Sequence, residues 1–430
     1  MTMMTSTHPP RVGIDAMAFH GPEHYVDMAD LARARGVDPA KYLQGLGQRQ
    51  MAVPTPCEDT VSMAAAAGRR ALAAFDIDPA EIGMLIVGTE TGVDHSKPVA
   101  VYVHDLLGLP ERCRTFETKH ACYGAMAGLT SAVDWIAAGR ARGRKALIIA
   151  SDIARYGIGT VGEPTQGAGA VAMVVSAAPR LIALDTDVAG DYTRQVMDFW
   201  RPLYSKYAFA DGHYSISCYL DALSGALSDA RDKAASADVL ALSSMRACFY
   251  HVPFVKMARK AHHRHWEAEL GREIAPGGDA GDADPASAAI ADSYETRVAP
   301  WLGLNAIVGN IYTGSLFLAL IDYVRRLDPA GAPAEQPISM FSYGSGCGAA
   351  FCLGRVQAGA ASLAARLDPR DTLARRRKLD VAAYEALLAA CEAAEANDSA
   401  IASPETWQLE GDFLYVGTRD HVRRYRGAPR

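Results

Sequence analysis

The chain has 430 residues, half of them apolar and 21% charged, with a formal net charge of −6. That length suits a large α/β protein with two core units, and mild acidity excludes the basic footprint of a nucleic-acid binder. Eight cysteines without a Cys-x-x-Cys pair argue against a disulfide framework, and no apolar run is long enough to span a bilayer.

Residues 1–11 lack the apolar stretch of a secretory signal, so a cytoplasmic location is expected. Residues 11–16 read as a first strand and 25–35 as a helix. Residues 45–50 read as a glycine-punctuated loop, and 59–75 as an alanine-rich helix. Residues 82–87 are wholly apolar and end in Gly88-Thr-Glu90, the pattern of a buried parallel strand with a carboxylate at its end. A helix over 99–107 follows, and Gly108 is its natural stop. Cys122 then precedes a run of small residues that continues as a helix to 136. Residues 145–152 and 167–175 are two more buried strands.

The second half repeats the plan. Residues 238–242 read as a strand leading to His251, 308–322 as a small-residue turn opening an apolar helix, and 337–346 as a strand ending in glycine and serine. Strand with Glu90, helix with Cys122 and strand with Asp152 are thus matched by strand with His251, helix with Asn310 and strand with Ser345. The matching order predicts a duplicated α/β unit, with halves at 1–180 and 181–430. The Gly/Asp/Pro-rich stretch near 275–289 reads as an exposed loop. A basic run over 370–378 precedes a helix over 381–394, residues 397–404 form a polar loop, and the tail carries a late strand.

A cysteine, a histidine and a carboxylate at the ends of apolar elements point to covalent thioester chemistry. Taken alone, each has a blander reading. An isolated cysteine is more often a buried structural residue. Glu90 could serve as a buried partner of an arginine, His251 as a satisfied structural residue, Asn310 as a helix cap and Ser345 as a turn residue. Cys122 precedes a helix whose dipole favours thiolate. Lys256 and Lys260 fall on one face of a helical segment with Arg259 nearby, either a solvated basic face or a phosphate contact. His262, His263 and His265 sit with Glu267 on what reads as a charged helix surface, without a ligand spacing for metal. A papain-like protease uses similar residue types, but its sequence approach to the cysteine is absent.

Taken together, Val12-Gly-Ile-Asp-Ala16, Gly45-Leu-Gly-Gln48, Gly88-Thr-Glu90-Thr-Gly-Val-Asp-His-Ser-Lys-Pro98 and Ala121-Cys-Tyr-Gly124 form an ordered set. So do Ser151-Asp-Ile-Ala154, Gly162-Glu-Pro-Thr-Gln-Gly-Ala-Gly-Ala-Val171, Asp211-Gly-x-x-Ser215, His251-Val-Pro-Phe-Val-Lys-Met257, Gly309-Asn-Ile-Tyr-Thr-Gly314 and Phe341-Ser-Tyr-Gly-Ser-Gly346. The set resembles the hydroxymethylglutaryl-CoA synthase family of the thiolase superfamily over nearly the whole chain. The resemblance implies a thiolase-like α/β fold of duplicated βαβ-rich halves, layered α-β-α-β-α, and a homodimer. It implies Cys122 as the acyl-accepting nucleophile, Glu90 as general base and acid, and His251 as the group that orients the acceptor. Asn310, Ser345, Tyr156 and Asp198 match pocket positions, and Lys256 and Lys260 match lysines that meet the carrier's phosphates. No metal or redox cofactor is implied, and substrates ride on the phosphopantetheine of acyl carrier protein or CoA.

Cys113-Arg-Thr-Phe-Glu-Thr-Lys119, Ser342-Tyr-Gly-Ser-Gly-Cys-Gly348 and Val416-Gly-Thr-Arg419 look more like the polyketide β-branching branch than the mevalonate-pathway branch. The expectation is therefore a synthase acting on carrier-bound substrates, with the CoA enzyme as the alternative. A ketoacyl synthase III would carry a Cys-His-Asn set, against which Glu90 argues. A thiolase-fold protein retained only for carrier docking would have no need of Cys122 and Glu90.

Overall fold

The structure, a computed structural model, describes residues 11–274, 285–328, 335–396 and 403–427. Nine strands form its main sheet. In chain order they are β1 (Gly13–His20), β2 (Ile82–Gly88), β3 (Arg114–Thr118), β4 (Lys145–Ala154), β5 (Gly167–Ser176), β6 (Ile182–Thr193), β7 (Ala247–Tyr250), β8 (Pro337–Gly344) and β9 (Gly348–Val356).

Their spatial order is β7-β8-β9-β6-β1-β5-β4-β2-β3. From the middle outward, β1-β5-β4-β2 on one side repeats as β6-β9-β8-β7 on the other. In each half the outer pair, β4 with β2 and β8 with β7, is parallel, and the inner pairs are antiparallel. The two sides meet through the pairs Gly13–Ala183 and Ile14–Ile182 of β1 and β6. The duplication expected from the order of motifs is therefore present in the strand order, and β3 is an extra edge strand of the first half.

Burial explains the strand sequences. Every residue of β2 is buried, as is every residue of β5. A strand covered on both faces has no polar face to alternate with, hence the continuous apolar runs. Helices α1 (Thr60–Ala74), α2 (Gly124–Ala137), α3 (Gly212–Lys233), α4 (Val255–Leu270), α5 (Ala286–Arg297) and α6 (Ser315–Val324) pack around these strands. All ten residues of α6 are buried. A helix apolar on every side belongs in the interior, between other layers. Helix α1 starts where Asp59 accepts the Ser62 amide, which satisfies one of its orphan N–H groups.

Several elements differ from the sequence expectation. The strand expected over 238–242 is instead a pair of 3₁₀ turns, Ala237–Leu240 and Leu242–Ser244. Ser236 accepts the Asp238 amide there, a local bond that favours a turn over a ladder. The strand leading to His251 is β7, a few residues later. The helix expected over 25–35 begins only at Met28, because Asp27 caps it by accepting the amides of Ala29 and Asp30. Residues His24–Asp27 pair instead with Gln50–Val53 and with Arg377–Leu379 in a three-stranded sheet. Of the loop expected over 45–50, residues 45 and 46 close a wide helical turn, Lys41–Leu46, and Gln50 already opens the strand Gln50–Val53. The tail strand is a hairpin, Leu414–Arg419 with Val422–Arg426. Of the loop expected near 275–289, residues 275–284 lie outside the described residues, and α5 already runs from Ala286. Of the polar loop expected over 397–404, residues 397–402 lie outside them too.

Candidate active site

Glu90 lies two residues beyond β2, and its direction is set by Asp152 of the neighbouring β4. Asp152 Oδ1 accepts hydrogen bonds from Thr89 Oγ1 at 2.9 Å, the Glu90 amide at 3.0 Å and Thr91 Oγ1 at 2.7 Å. The chain thus wraps around a carboxylate that is itself fully buried, and Asp152 Oδ2 has no hydrogen-bond partner.

Cys122 sits in the turn before α2. Ala121, just before it, has φ of 39°, the left-handed region that an alanine adopts only under constraint. The Tyr123 amide bonds the His120 carbonyl at 2.9 Å, and Thr118 Oγ1 donates to the Gly124 carbonyl at 2.8 Å. Thr313 Oγ1, from the second half, accepts the Ala125 amide at 2.8 Å and so satisfies a donor in the first turn of α2. These bonds place Cys122 Sγ 3.8 Å from Glu90 Oε1.

The electrostatics of this pair run against the expectation of a resting thiolate. Burial comes first and the charges of Glu90, Asp152 and Asp198 follow; together they push the Cys122 thiol well above its ordinary value. These outweigh the helix dipole, whose influence fades within the first turn. Burial also pushes Glu90 up to about 8, aided by the charge of Asp152 and opposed by Arg201 and the Cys122 thiol. Asp152 is pushed up to about 6, again chiefly by burial and against the pull of its donors.

Cys122 packs with Ala154 and Tyr312, and Tyr156 and Phe199 close against them. The three rings meet edge to face, with centroids 6.1 Å apart for Tyr156–Phe199 and Phe199–Tyr312 and 6.3 Å for Tyr156–Tyr312. Asn310 supports this wall. Its Nδ2 donates to Tyr156 Oη at 3.4 Å, while its Oδ1 accepts the Tyr312 amide at 2.9 Å and Ser315 Oγ at 3.1 Å. Asn310 reaches its place because Gly309 adopts φ of 90° against β5's approach; a Cβ there would lie 2.0 Å from the Gln166 carbonyl oxygen.

His251 follows β7 directly. Its amide bonds the Phe341 carbonyl of β8 at 2.8 Å, and its own carbonyl accepts Tyr219 Oη at 2.9 Å. The imidazole is buried, which drives its pKa down to about 3 and keeps it neutral; its Nδ1 has no hydrogen-bond partner. Tyr219 lies against this ring, with centroids 6.3 Å apart. Asp198 is fully buried and engaged. It accepts Tyr343 Oη at 2.6 Å, Ser215 Oγ at 3.2 Å and the Gly346 amide at 2.9 Å. It therefore anchors the β8–β9 turn that carries Ser345. That turn presses on the Cys122 turn: a Cβ on Gly344 would lie 2.4 Å from the His120 carbonyl oxygen.

Glu90, Cys122, Tyr156 and Asn310 thus converge, and Asp198 anchors the turn of Ser345 that packs against the Cys122 turn. Lys256 and Lys260 do not join this cluster. They lie one turn apart on α4, Lys256 half-buried and Lys260 exposed. Arg259 pairs with Glu295 at 2.7 Å and lies 4.8 Å over the Tyr294 ring. The charged helix surface read for His262 and His265 is not found: both are buried. Tyr250 Oη bonds Nδ1 of each at 2.9 Å, and Ser293 Oγ bonds His262 Nε2 at 2.9 Å. Among the described residues no cluster of histidine, cysteine and carboxylate side chains could hold a metal ion.

Arg201, Phe199 and Tyr312 were not picked out by sequence reasoning, and Asp152 was noted only as the polar end of its strand, without a role. Asp152 carried a signal, a carboxylate inside an otherwise apolar strand. Arg201 carried none, since it lies in an irregular stretch between β6 and α3. An open cleft of about 580 Å³ lies elsewhere: it surrounds Asp15, Lys145 and Arg180, at the end of β4 away from Asp152. Within it, Asp15 pairs with Arg180 at 2.7 Å and with Lys145 at 3.5 Å.

A buried thiol beside a carboxylate, lined by aromatic rings, can accept an acyl group and then move a proton at the acyl α-carbon. The family model described as hydroxymethylglutaryl-coenzyme A synthase N terminal matches residues 8–179, and the corresponding C terminal model matches 182–269 and 282–427. A hydroxymethylglutaryl-CoA synthase of Enterococcus faecalis is 38% identical over 96% of this chain and 99% of its own. A polyketide biosynthesis 3-hydroxy-3-methylglutaryl-ACP synthase of Bacillus subtilis is 34% identical over 80% of this chain and 79% of its own. Among solved structures, MvaS in complex with 3-hydroxy-3-methylglutaryl coenzyme A superposes with a TM-score of 0.86 at 48% identity, over 96% of this chain and 98% of that one. The curacin-pathway HMG synthase in complex with apo donor-ACP superposes at 0.85 and 31% identity, over 96% and 99%. The fold is therefore thiolase-like, and the chain belongs to the hydroxymethylglutaryl-CoA synthase family, whose members are acyl-transferring, carbon–carbon bond-forming enzymes.

Proposed function

We propose that this protein condenses an acetyl group, held on Cys122, with the ketone of a 3-ketoacyl thioester. The observation that carries the reading is the 3.8 Å approach of Cys122 Sγ to Glu90 Oε1 in a buried pocket. Glu90 receives the thiol proton, the thiolate attacks the donor thioester, and Glu90 returns that proton to the departing pantetheine thiolate. Glu90 then takes a proton from the acetyl methyl, and the resulting carbanion attacks the ketone carbon. The neutral His251 orients and polarises that ketone, and the new alkoxide takes up the proton held by Glu90. Water hydrolyses the Cys122 thioester and frees the product and the thiol. Asn310, Ser345 and Tyr156 line the pocket, with Asp198 anchoring its rim; Lys256 and Lys260 meet carrier phosphates. The sequence uses no metal or redox step. We further propose a homodimer, with each protomer divided between its two halves near residue 180.

Two carriers are in question, each with its own support. Three sequence stretches noted above favour carrier-protein substrates and polyketide branching. Identity of 38% to the Enterococcus faecalis enzyme over almost the whole of both chains favours CoA substrates. Carrier docking by basic residues rests mainly on exposed Lys260, because Arg259 is engaged by Glu295. One experiment addresses both levels. The protein is incubated with acetyl-CoA or acetylated carrier protein, and the acetyl group is located by mass spectrometry; acetoacetyl on CoA or on carrier is then added at low and moderate ionic strength. Acetyl on Cys122 and a hydroxymethylglutaryl product are expected, and acetyl elsewhere, or none, sinks the mechanism. Rim contacts between charges are screened by salt, so a faster, salt-sensitive reaction with carrier protein indicates polyketide branching. Equal or faster reaction with CoA at both ionic strengths indicates the mevalonate-type enzyme.

A further inference from the structure

We propose that Arg201 is a positioning residue for Glu90, a cation supplied by the second half of the chain that holds the carboxylate of the first half in place for proton abstraction. The inference rests on the reading of Glu90 as the base.

Arg201 follows a short ribbon in which Phe199 and Trp200 pair with Phe209 and Ala210. Side chains along an extended strand alternate in direction, and the contacts follow that alternation. Phe199 packs inward with the Cys122 cluster. Trp200 turns outward, 37% exposed, and stacks on Phe209 with centroids 5.8 Å apart. Arg201 turns inward again, and its side chain is 19% exposed. Just before the ribbon, Asp198 is locked by Tyr343, Ser215 and Gly346. The ribbon is therefore pinned at one end, and Arg201 is delivered over Glu90.

Two contacts join them. Arg201 donates through NH2 to the Glu90 carbonyl, and the same nitrogen lies 3.8 Å from Glu90 Oε2. Glu90 Oε1 faces Cys122, so the two carboxyl oxygens have different neighbours: the thiol on one side, the guanidinium on the other. Among the described residues, the charged and titratable groups facing Glu90 are Asp152 from β4, Cys122 from the turn before α2, Arg201 from the ribbon, and the phenols of Tyr156 and Tyr312. Arg201 is the cation in that set. Without it, two buried carboxyl groups and a thiol share one pocket with nothing to offset a second negative charge. When Glu90 gains the methyl proton, the C–H electron pair passes into the enolate and the carboxyl becomes neutral; Arg201 keeps the unprotonated form available at the start of each such step.

The test compares Arg201→Met, Arg201→Gln and Arg201→Lys. Acetylation of Cys122 is read by mass spectrometry, and single-turnover condensation of the acetylated enzyme is followed as a function of pH. An opposite charge at this range shifts a carboxyl by about one unit or more. The Met and Gln variants are therefore expected to acetylate Cys122 as the parent does, yet condense about tenfold or more slowly near neutral pH. The rising limb of their pH profile moves to higher pH, and Lys restores it towards the parent. Met or Gln profiles that superimpose on the parent's overturn the proposal, and so does a Lys variant shifted as far as Gln. Should the Met variant fail to fold, the Gln and Lys pair decides alone. A parent enzyme that acetylates Cys122 but never condenses overturns the reading of Glu90 itself, and with it this role for Arg201.

Discussion

Cys122 shows how far a residue's surroundings can reverse its local tendency. The helix start favours thiolate, but burial and three carboxylates favour the thiol. A buried thiol needs a proton acceptor at hand, and Glu90 is that neighbour. Glu90 has two effects on Cys122, accepting its proton and opposing its charge, and a truncation removes both. Glu90→Ala is expected to keep acetylation of Cys122, because losing the proton acceptor is offset by losing a like-charged neighbour, although burial still holds the thiol up. Condensation in that variant should drop by about 10²–10⁴-fold, the usual contribution of a general base. Trapping the acetyl-enzyme and chasing it with acceptor separates the two steps. A variant that condenses within a few-fold of the parent would place the base elsewhere.

At the scale of elements, the end of β7 and helix α4 are tied by a buried polar chain. Tyr250 joins His262 and His265, and His262 reaches Ser293 of α5. Burial drives His262 down to about 3 and His265 well below its ordinary value, so both are neutral in the folded protein. In the unfolded chain each takes up a proton near pH 6.5. Above that pH neither state binds the proton, and this balance leaves stability unchanged. As pH falls from about 6.5 towards about 3, the unfolded state binds more protons and the fold is progressively disfavoured. For His262 the loss is on the order of 3 kcal/mol by pH 4. Denaturant midpoints measured between neutral pH and pH 4 should fall, and His262→Asn should flatten the fall. An unchanged slope in that variant would show that another group carries the acid lability.

At the scale of the whole molecule, the site exists because two halves of one chain touch. The β8–β9 turn of the second half rests on the Cys122 turn of the first, at Gly344 against His120. An alanine at 344 would place its Cβ 2.4 Å from the His120 carbonyl oxygen, so backbone must move. Gly344→Ala should therefore displace Cys122 and slow its acetylation by about 10²-fold, the cost of roughly 1 Å of misplacement. Acetylation at the parent's rate in a folded variant would mean that this contact does not position the nucleophile. A second bond across the halves, from the Ala125 amide to Thr313, supports the same turn from the other side.

The sequence by itself determined the elements whose signal is local. Continuous apolar runs marked β2, β4 and β5, because a strand buried on both faces cannot alternate. The ordered motifs carried the family, and with it Glu90, Cys122, His251 and Asn310 as a group. Asp59 marked the start of α1, while Asp27 moved the start of the preceding helix to Met28, a boundary that periodicity alone misplaced. What only the tertiary structure decided depends on partners distant in sequence. The protonation of Cys122 follows from Glu90, Asp152 and Asp198, drawn from three separate elements. His262 and His265 look like surface residues in a charged helix until Tyr250 and Ser293 bury and satisfy them. Arg201 has no local pattern at all, because its meaning lies in a carboxylate more than a hundred residues away, which only the folded chain brings within 3.8 Å.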